Sequence, residues 1–521
     1  MTEVDTVRPS SESPARLRAL LVVLCVALAL VVAGNSALAI ALPDIAVDLG
    51  ADQGDLTWII DAYALTFAAL LLPAGIAADR TGRRTLLLGG LVVFAGAGIA
   101  SAFAPDTMWL IALRALAGVG AAAVFPVTLS ALVDAYPEDR RGFAVAVWSG
   151  VSAAGAVAGT IIAGLLLEFF WWGSIQIFFA ISAIALVPAI AVLVAQRRDP
   201  SLSLDPLGAA WAVVGLSGVV YAVIEAPQRG WADPATLVAF GVGGLALVGF
   251  VVHELRTAAP ALDVRLFRNR GLAAGSLLVS LQFFASLALF VLAPQYLQIV
   301  REYSPLQAAT ALLVIPVGVG AGTALAPSAL HRFGARSPGT AGMLAMAAGF
   351  AILATALGIP DVPGELASLG LLAAGLVVFG FGFGLAITPG TVLIIEGLPA
   401  ERRSVSSAVN DITREVGGVL GIAVLSSVLI STYRSDIATT LASLPAQVAS
   451  PAREGASTAL GIASALGADG STLADAARMA FAAGLSAALW LGAAVLAVTA
   501  LVTWAVAPRG RIDGPRAGET S

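Results

Sequence analysis

Three ionisable residues stand close together inside an otherwise apolar stretch of the chain. Asp411, Arg414 and Glu415 are spaced by three and four residues, so a helix would place all of them on one face. A charge deep in hydrocarbon costs at least about 2.5 kcal/mol, and such residues usually pair and serve a function. Because a carboxylate beside an arginine changes its proton affinity with hydration, the spacing favours reversible proton binding. A static polar contact between helices is the alternative.

Two further charges lie alone inside apolar stretches. Arg114 falls about six residues inside segment 108–133, where the same cost predicts a partner and an orientation toward a polar interior. Asp61 falls about five residues, or roughly 7 Å, inside segment 56–78. We interpret Asp61 as a candidate for binding a proton or a cationic molecule, and Arg114 as a candidate functional residue of the interior. The alternatives are a structural ion pair for Arg114 and, for Asp61, a carboxylate in a wet vestibule beside Trp58.

Other kinds of site are excluded by residue counts. All 28 basic residues are arginine, so the chain has no phosphate-binding loop of the GxxxxGK[ST] type and no lysine for Schiff-base chemistry. It has two histidines, His253 and His331, and one cysteine, Cys25, which rules out the common zinc motifs and any disulfide framework. We therefore expect no ATP, no cofactor and no metal.

The elements that carry these residues are predicted to be membrane-spanning helices. Hydrophobic residues make up 59% of the 521 and charged residues 12%, about half of the charge that a soluble domain carries. This excludes a soluble globular protein and a nucleic-acid binder, and it predicts an all-α polytopic membrane protein. Apolar stretches of spanning length occur fourteen times: 18–42, 56–78, 85–103, 108–133, 142–167, 175–195, 207–226, 235–254, 271–294, 306–328, 338–358, 367–393, 403–431 and 478–507.

The arginines predict the orientation in the bilayer. Twenty-one lie in the tails and in one alternate set of connections, five lie in the opposite set, and Arg114 and Arg414 lie inside segments. Positive residues are retained on the cytoplasmic side, so we expect both termini in the cytoplasm and a multi-pass protein of the inner (plasma) membrane.

A weak internal repeat predicts the domain organisation. The connection GIAADRTGRR at 75–84 resembles SALHRFGAR at 328–336, with charged and glycine positions offset by 252. Duplicated bundles are common in transporters. We expect cytoplasmic tails and two six-helix bundles joined by two inserted helices, with one partly helical, partly loose external loop. The ranges are 1–17, 18–195, 207–254, 271–507 with the loop at 433–477, and 508–521.

Several motifs resemble a known family. The 75–84 connection, with RALAGVG at 114–120, is similar to motifs of the major facilitator superfamily. The stretches at 57–75 and 407–429, with the fourteen segments, resemble its fourteen-helix drug:proton antiporter branch. The resemblance implies the major facilitator fold, a role for Arg114 in proton coupling, and a gate at the cytoplasmic helix ends. A charge cluster that only sets orientation is the alternative. The residues that carry the gate motif are Gly75, Asp79, Arg80, Gly82, Arg83 and Arg84.

The same branch usually carries a GxxxGPxxGG stretch on its fifth helix. Here the stretch is GAVAGTIIAG, in which Gly155, Gly159 and Gly164 keep the small face that lets helices approach closely. Thr160 replaces the expected proline, and Gly34 replaces an acid that the branch often has on its first helix. These departures put proton exchange in question and leave the fold unaffected.

The resemblance implies a carrier rather than an enzyme. We expect proton-coupled export of hydrophobic, drug-like small molecules by a monomer. One alternative is a dedicated exporter of one host metabolite, antibiotic or siderophore, not necessarily coupled to protons. A polytopic membrane enzyme or sensor is another, although no catalytic cluster or soluble signalling domain is present. Candidates for the substrate cavity are Asn35, Tyr63, Tyr221, Phe283 and Phe284.

Overall fold

The computed structural model describes residues 14–196, 205–257, 264–358, 365–397 and 406–508. Within these ranges the chain is almost entirely helical and contains no β-strand. Fourteen helical spans are long and apolar enough to cross a membrane, which confirms the predicted number.

The chain begins with six long helices and continues with two more. The first six are α1 (Pro14–Leu49), α2 (Gln53–Thr81), α3 (Arg83–Ala102), α4 (Thr107–Ala135), α5 (Glu138–Leu167) and α6 (Gly173–Leu193). The next two are α7 (Pro206–Arg229) and α8 (Pro234–Arg256), followed by a 3-10 turn at Val264–Arg268.

The remaining helices form the second bundle and two short elements. They are α9 (Arg270–Ile299), α10 (Pro305–Ala311), α11 (Val314–Phe333), α12 (Arg336–Gly358), α13 (Glu365–Glu396), α14 (Ser406–Leu441), α15 (Ala446–Glu454), α16 (Ala456–Leu466) and α17 (Ser471–Val506). Helices α10 and α11 together make one span.

The interval 433–477, predicted as a partly helical external loop, is mostly helical in the structure. Helix α14 continues to Leu441, α17 begins at Ser471, and α15 and α16 occupy most of the interval. No glycine or proline interrupts the chain from Ile422 to Leu444, so nothing breaks the helix where its apolar stretch ends. Hydropathy marks where a helix leaves the membrane, and the helix itself ends later.

The helices pack as two six-helix bundles with an inserted pair. Helices α1 to α6 contact chiefly one another, as do α9 to α14 and α17. Helix α7 contacts α2 of the first bundle and α14 of the second, whereas α8 packs mainly on α7. The outer side chains of α8 are exposed, including Leu237, Val238 and Leu245, as expected for a helix that faces lipid.

The two ends of the molecule differ in the contacts between the bundles. We call the end at which α1 begins and α17 ends the terminal face, and the end that carries α15 and α16 the loop face. Near the loop face the Gln298 amide donates to the Ile40 carbonyl at 2.8 Å, and Ser304 donates to Glu168. Gly164 of α5 lies directly against the start of α10. These described contacts between bundles therefore lie in the half of the molecule near the loop face.

Candidate functional site

A buried arginine joins three helices of the first bundle. Arg114 on α4 is 1% exposed, and its Nε donates to the Ile59 carbonyl of α2 at 3.0 Å. Its Nη2 donates to Asn35 Oδ1 of α1 at 2.7 Å, and the guanidinium lies 4.4 Å from the centre of the Tyr63 ring. The Tyr63 hydroxyl donates to the Val31 carbonyl at 3.0 Å. Neutral oxygens and an aromatic face thus bind the guanidinium through charge-assisted hydrogen bonds and a cation–π contact.

A charged group lies on α14 of the second bundle. Arg414 Nη1 is 3.6 Å from Asp411 Oδ1, and both side chains are partly exposed. The Arg414 guanidinium also lies 4.5 Å from the centre of the Phe283 ring on α9. Close approach of α14 to α9 holds this arrangement, because Gly417 and Gly421 leave no room for a side chain between the two backbones.

The two charged groups lie on different sides of the bundle interface. Helix α14, which carries Asp411, Arg414 and Glu415, packs against α2, which carries Tyr63. Arg114 contacts the Tyr63 ring and the Ile59 carbonyl of α2. Helix α2 therefore lies between the two groups, so a change of charge on α14 acts at the contact between the bundles.

Asp61 lies in a different place from the other candidates. Its side chain is fully buried among the described residues. Neither carboxyl oxygen has a hydrogen-bond partner among the described residues. Its neighbours on the same face of α2, Ala64 and Leu65, pack against α7 and α14. Asp61 therefore faces the junction of α2, α7 and α14.

The predicted gate residues fix the helix ends of the first bundle at the terminal face. Gly82 joins α2 to α3 with φ of 110°, a conformation that favours glycine. Arg83 pairs with Asp134 of α4 and donates to the Ser130 carbonyl at 3.1 Å, while Arg84 donates to the Ala191 carbonyl of α6 at 3.2 Å.

The other gate residues make fewer described contacts. Arg80 is exposed, and a Cβ atom added at Gly75 would meet nothing within 4 Å. The side chain of Asp79 lies outside the described part of the structure.

The helix-packing glycines of α5 lie where a side chain would not fit. A Cβ atom at Gly159 would lie 2.5 Å from the Ala33 carbonyl oxygen of α1, and one at Gly155 would lie 3.2 Å from Ala29 Cα. Gly164 faces α10 of the second bundle, with Leu306 Cα 3.0 Å from such an atom. The stretch thus joins α5 to its own bundle and, near the loop face, to the other one.

The residues predicted to line the substrate cavity lie in different parts of the structure. Asn35 and Tyr63 belong to the Arg114 group. Tyr221 of α7 lies 6.1 Å from the Trp58 ring of α2, measured between centroids. Phe283 lies 5.4 Å from the Phe383 ring and beneath Arg414, whereas Phe284 is buried in the apolar core.

Sequence reasoning missed several partners of these residues. Asp134 and Gln196 contact the gate segment at Arg83 and Thr85, and Asn35 proved to be a ligand of Arg114. The sequence could have identified Asp134, because it is an acid at the end of an apolar stretch, directly before the basic connection at 138–141. No sequence pattern identifies Gln196 as a partner.

Comparisons with known proteins agree with this architecture. The model of the Major Facilitator Superfamily matches residues 24–422. The multidrug efflux pump LfrA of Mycolicibacterium smegmatis is 32% identical, with 84% of this chain and 85% of LfrA covered. The puromycin resistance protein of Streptomyces alboniger is 33% identical, with 78% and 81% covered.

Among solved structures, an inward-facing, unoccupied bacterial homolog of the human lysosomal transporter Spinster has a similar fold. The TM-score is 0.64 at 16% identity, and the match covers 95% of this chain and 97% of that one. The family model spans well over half of the chain, and the helical architecture agrees with it. This chain therefore belongs to the major facilitator superfamily.

Proposed function

We propose that this multi-pass membrane protein is a secondary transporter that exports hydrophobic small molecules in exchange for protons. The observation that carries the proposal is the charged pair Asp411–Arg414 on α14, a helix of the second bundle that packs against α2 of the first. Proton binding on α14 changes the charge that faces the first bundle, and such a change shifts the balance between two conformations. The name of LfrA, a multidrug efflux pump, supports the choice of substrate.

Transport by alternating access requires an orientation in the membrane and a movement of the two bundles. We place the terminal face in the cytoplasm and the protein in the plasma membrane, because twenty-one arginines lie in the connections and tails of that side. Since Gln298, Ser304 and the start of α10 join the other bundle near the loop face, we take this conformation to be the inward-facing one. The bundles at 18–195 and 271–507 then move against each other about a site near the middle of the membrane. The transporter works as a monomer.

The acidic residues have different roles in proton coupling. Asp411 and Glu415 share Arg414 and are partly exposed, so a proton or a cationic substrate can displace that contact. Asp61 has no counter-ion among the described residues, and an unpaired carboxyl group at this depth is accommodated when it holds a proton. The gate residues Arg83 and Arg84 keep the helix ends of the first bundle together while the bundles separate.

Proton movement in proteoliposomes with a preset pH gradient tests this function. Lipophilic cations, neutral antibiotics and anionic drugs are added in turn to the native protein, to Asp411→Asn and to Asp436→Asn. Asp436 lies exposed on the same helix, beyond the charged group, and makes a matched control. We expect at least one compound to dissipate the gradient with the native and Asp436→Asn proteins but not with Asp411→Asn.

Two results would contradict the proposal. If no compound moves protons with the native protein, multidrug antiport is wrong. If Asp411→Asn matches the native protein, α14 does not take part in coupling.

A dedicated exporter of one compound is the second candidate. Gly34 and Thr160 depart from the branch pattern, and the puromycin resistance protein is named for a single compound. Binding of one compound class at least about tenfold tighter than all others would favour this candidate.

A further inference from the structure

Three buried polar side chains without described partners lie on two facing helices. Asp61 of α2 has both carboxyl oxygens unpaired, and the hydroxyl groups of Ser426 and Ser427 on α14 are also unpaired. Their side chains are 0%, 2% and 4% exposed, respectively. Buried groups of this kind each cost free energy unless a hydrogen-bond partner is present, so the cluster indicates a small ligand that supplies several hydrogen bonds.

A small cavity reaches the two serines from the loop face. It is lined by side chains of three helices: Gln53, Gly54 and Thr57 of α2, Ile224 of α7, and Ala423, Ser426, Ser427 and Ile430 of α14. Gln53 is the first residue of α2 and lies at the loop face. Asp61 is not among the lining residues, but it follows Thr57 by one helical turn on the same face, so it lies one turn deeper than the cavity.

The next turn of α2 toward the terminal face is apolar. There Leu65 packs with Val220 of α7 and with Val419 of α14. Helices α2 and α14 run in opposite directions, so these side chains lie on the terminal-face side of Asp61. Toward the loop face, hydroxyl groups lie among apolar lining residues, whereas the next turn toward the terminal face offers apolar side chains.

From this asymmetry we infer that the cavity between α2, α7 and α14 holds water and is the route by which protons reach Asp61 from the loop face. A buried water needs two to four polar partners, and the carboxyl and the serine hydroxyl groups can provide them. Thr57 donates its hydroxyl to the Gln53 carbonyl at 2.8 Å, so its oxygen remains able to accept. In this proposal the inserted helix α7 separates the proton route from lipid, because Ile224 and Val220 lie between them.

Charged side chains lie near the loop-face ends of the same helices. Asp55 of α2 and Glu225 of α7 each follow a residue that lines the cavity, and Glu225 pairs with Arg229 at 2.9 Å. Arg434 of α14 donates to a carbonyl of α7 and pairs with an acid of α15. Arg114 contacts the Ile59 and Tyr63 side of α2, away from the cavity.

The role of the route rests on the proposed proton coupling, but its hydration can be measured separately. Cys25 is the chain's only cysteine and is buried, so a Cys25→Ala background allows single cysteines to be labelled. A small methanethiosulfonate reagent that does not cross membranes is added to intact cells. We expect Ser427→Cys to react at least about tenfold faster than Val419→Cys, because only the former lines the aqueous side. Equal rates for the two variants would overturn the inference, whatever the transport assay shows.

A second experiment tests the proton route. The double variant Ser426→Ala/Ser427→Ala is compared with Ser286→Ala, a buried serine of α9 whose hydroxyl donates to the Gln282 carbonyl at 2.8 Å. We expect the double variant to slow proton-driven transport by about tenfold or more, with substrate binding retained, and Ser286→Ala to match the native rate. Native rates in the double variant would refute the route. Rapid labelling of Ser427→Cys, with no compound moving protons in the native protein, would instead contradict the proposed function alone.

Discussion

Replacing single glycines of α5 by alanine tests how tightly the first bundle is packed. A Cβ atom at Gly159 would lie 2.7 Å from Ala33 Cα and 2.8 Å from Ser36 Oγ. Carbon atoms in contact stay at least about 3.5 Å apart, so α1 and α5 would have to separate locally by about 0.8 Å. The same movement strains the hydrogen bond that Ser36 donates to the Ala156 carbonyl at 2.9 Å.

The expected change in the free energy of unfolding of Gly159→Ala is the sum of opposing contributions. Overpacking of this kind costs about 1–3 kcal/mol, and a weakened hydrogen bond adds about 1 kcal/mol. Alanine favours a helix over glycine by about 1 kcal/mol. Gly159→Ala should therefore lower the free energy of unfolding by about 2 kcal/mol. Gly150, where an added Cβ would meet nothing within 4 Å, is the control, and Gly150→Ala should be neutral or slightly stabilising.

Gly155 provides an intermediate case. Its added Cβ would lie 3.2 Å from Ala29 Cα and 3.3 Å from the Ala29 carbonyl oxygen, so a small shift relieves the contact. Thermal unfolding in one detergent, followed by tryptophan fluorescence, should rank the alanine variants at Gly150, Gly155 and Gly159 from most to least stable. If Gly159→Ala melts at or above Gly150→Ala, the close approach of α1 and α5 is refuted.

Two further predictions concern polar contacts between helices. Asn35→Ala removes the side-chain acceptor of Arg114 Nη2 and should cost about 2 kcal/mol, because a buried charged donor loses its partner. Chemical denaturation measures this cost, and Asn35→Asp, which keeps an acceptor, should retain stability. An unchanged Asn35→Ala protein would mean that water replaces the amide. Glu454→Gln should cost under about 1 kcal/mol, since Glu454 is 41% exposed, whereas Arg434→Ala should cost about 1 kcal/mol more, because Arg434 also donates to α7. Equal costs for the two variants would argue against a contribution from the contact with α7.

The sequence alone determined the class of fold. Apolar stretches of spanning length and the distribution of arginines predicted fourteen membrane helices, and the described residues contain fourteen candidate spans. The prediction failed where the helix continued outside the apolar stretch, as α14 does to Leu441, because hydropathy reports contact with lipid and not the end of backbone hydrogen bonding. Spacing also placed Asp411 and Arg414 on one face of one helix, since geometry within a helix is fixed by residue number.

Only the tertiary structure decided which residues of different helices meet. Arg114 binds Asn35, which lies 79 residues away in sequence, and no local pattern identifies such a partner. The sequence left open whether Asp61 binds a proton or a cation inside the protein or lies in a wet vestibule, and only the packing of α7 and α14 on its helix face shows that it is buried. Contacts of this kind depend on how small residues let whole helices approach and rotate. The burial of a charge is therefore a property of the packed bundles and not of the segment that carries it.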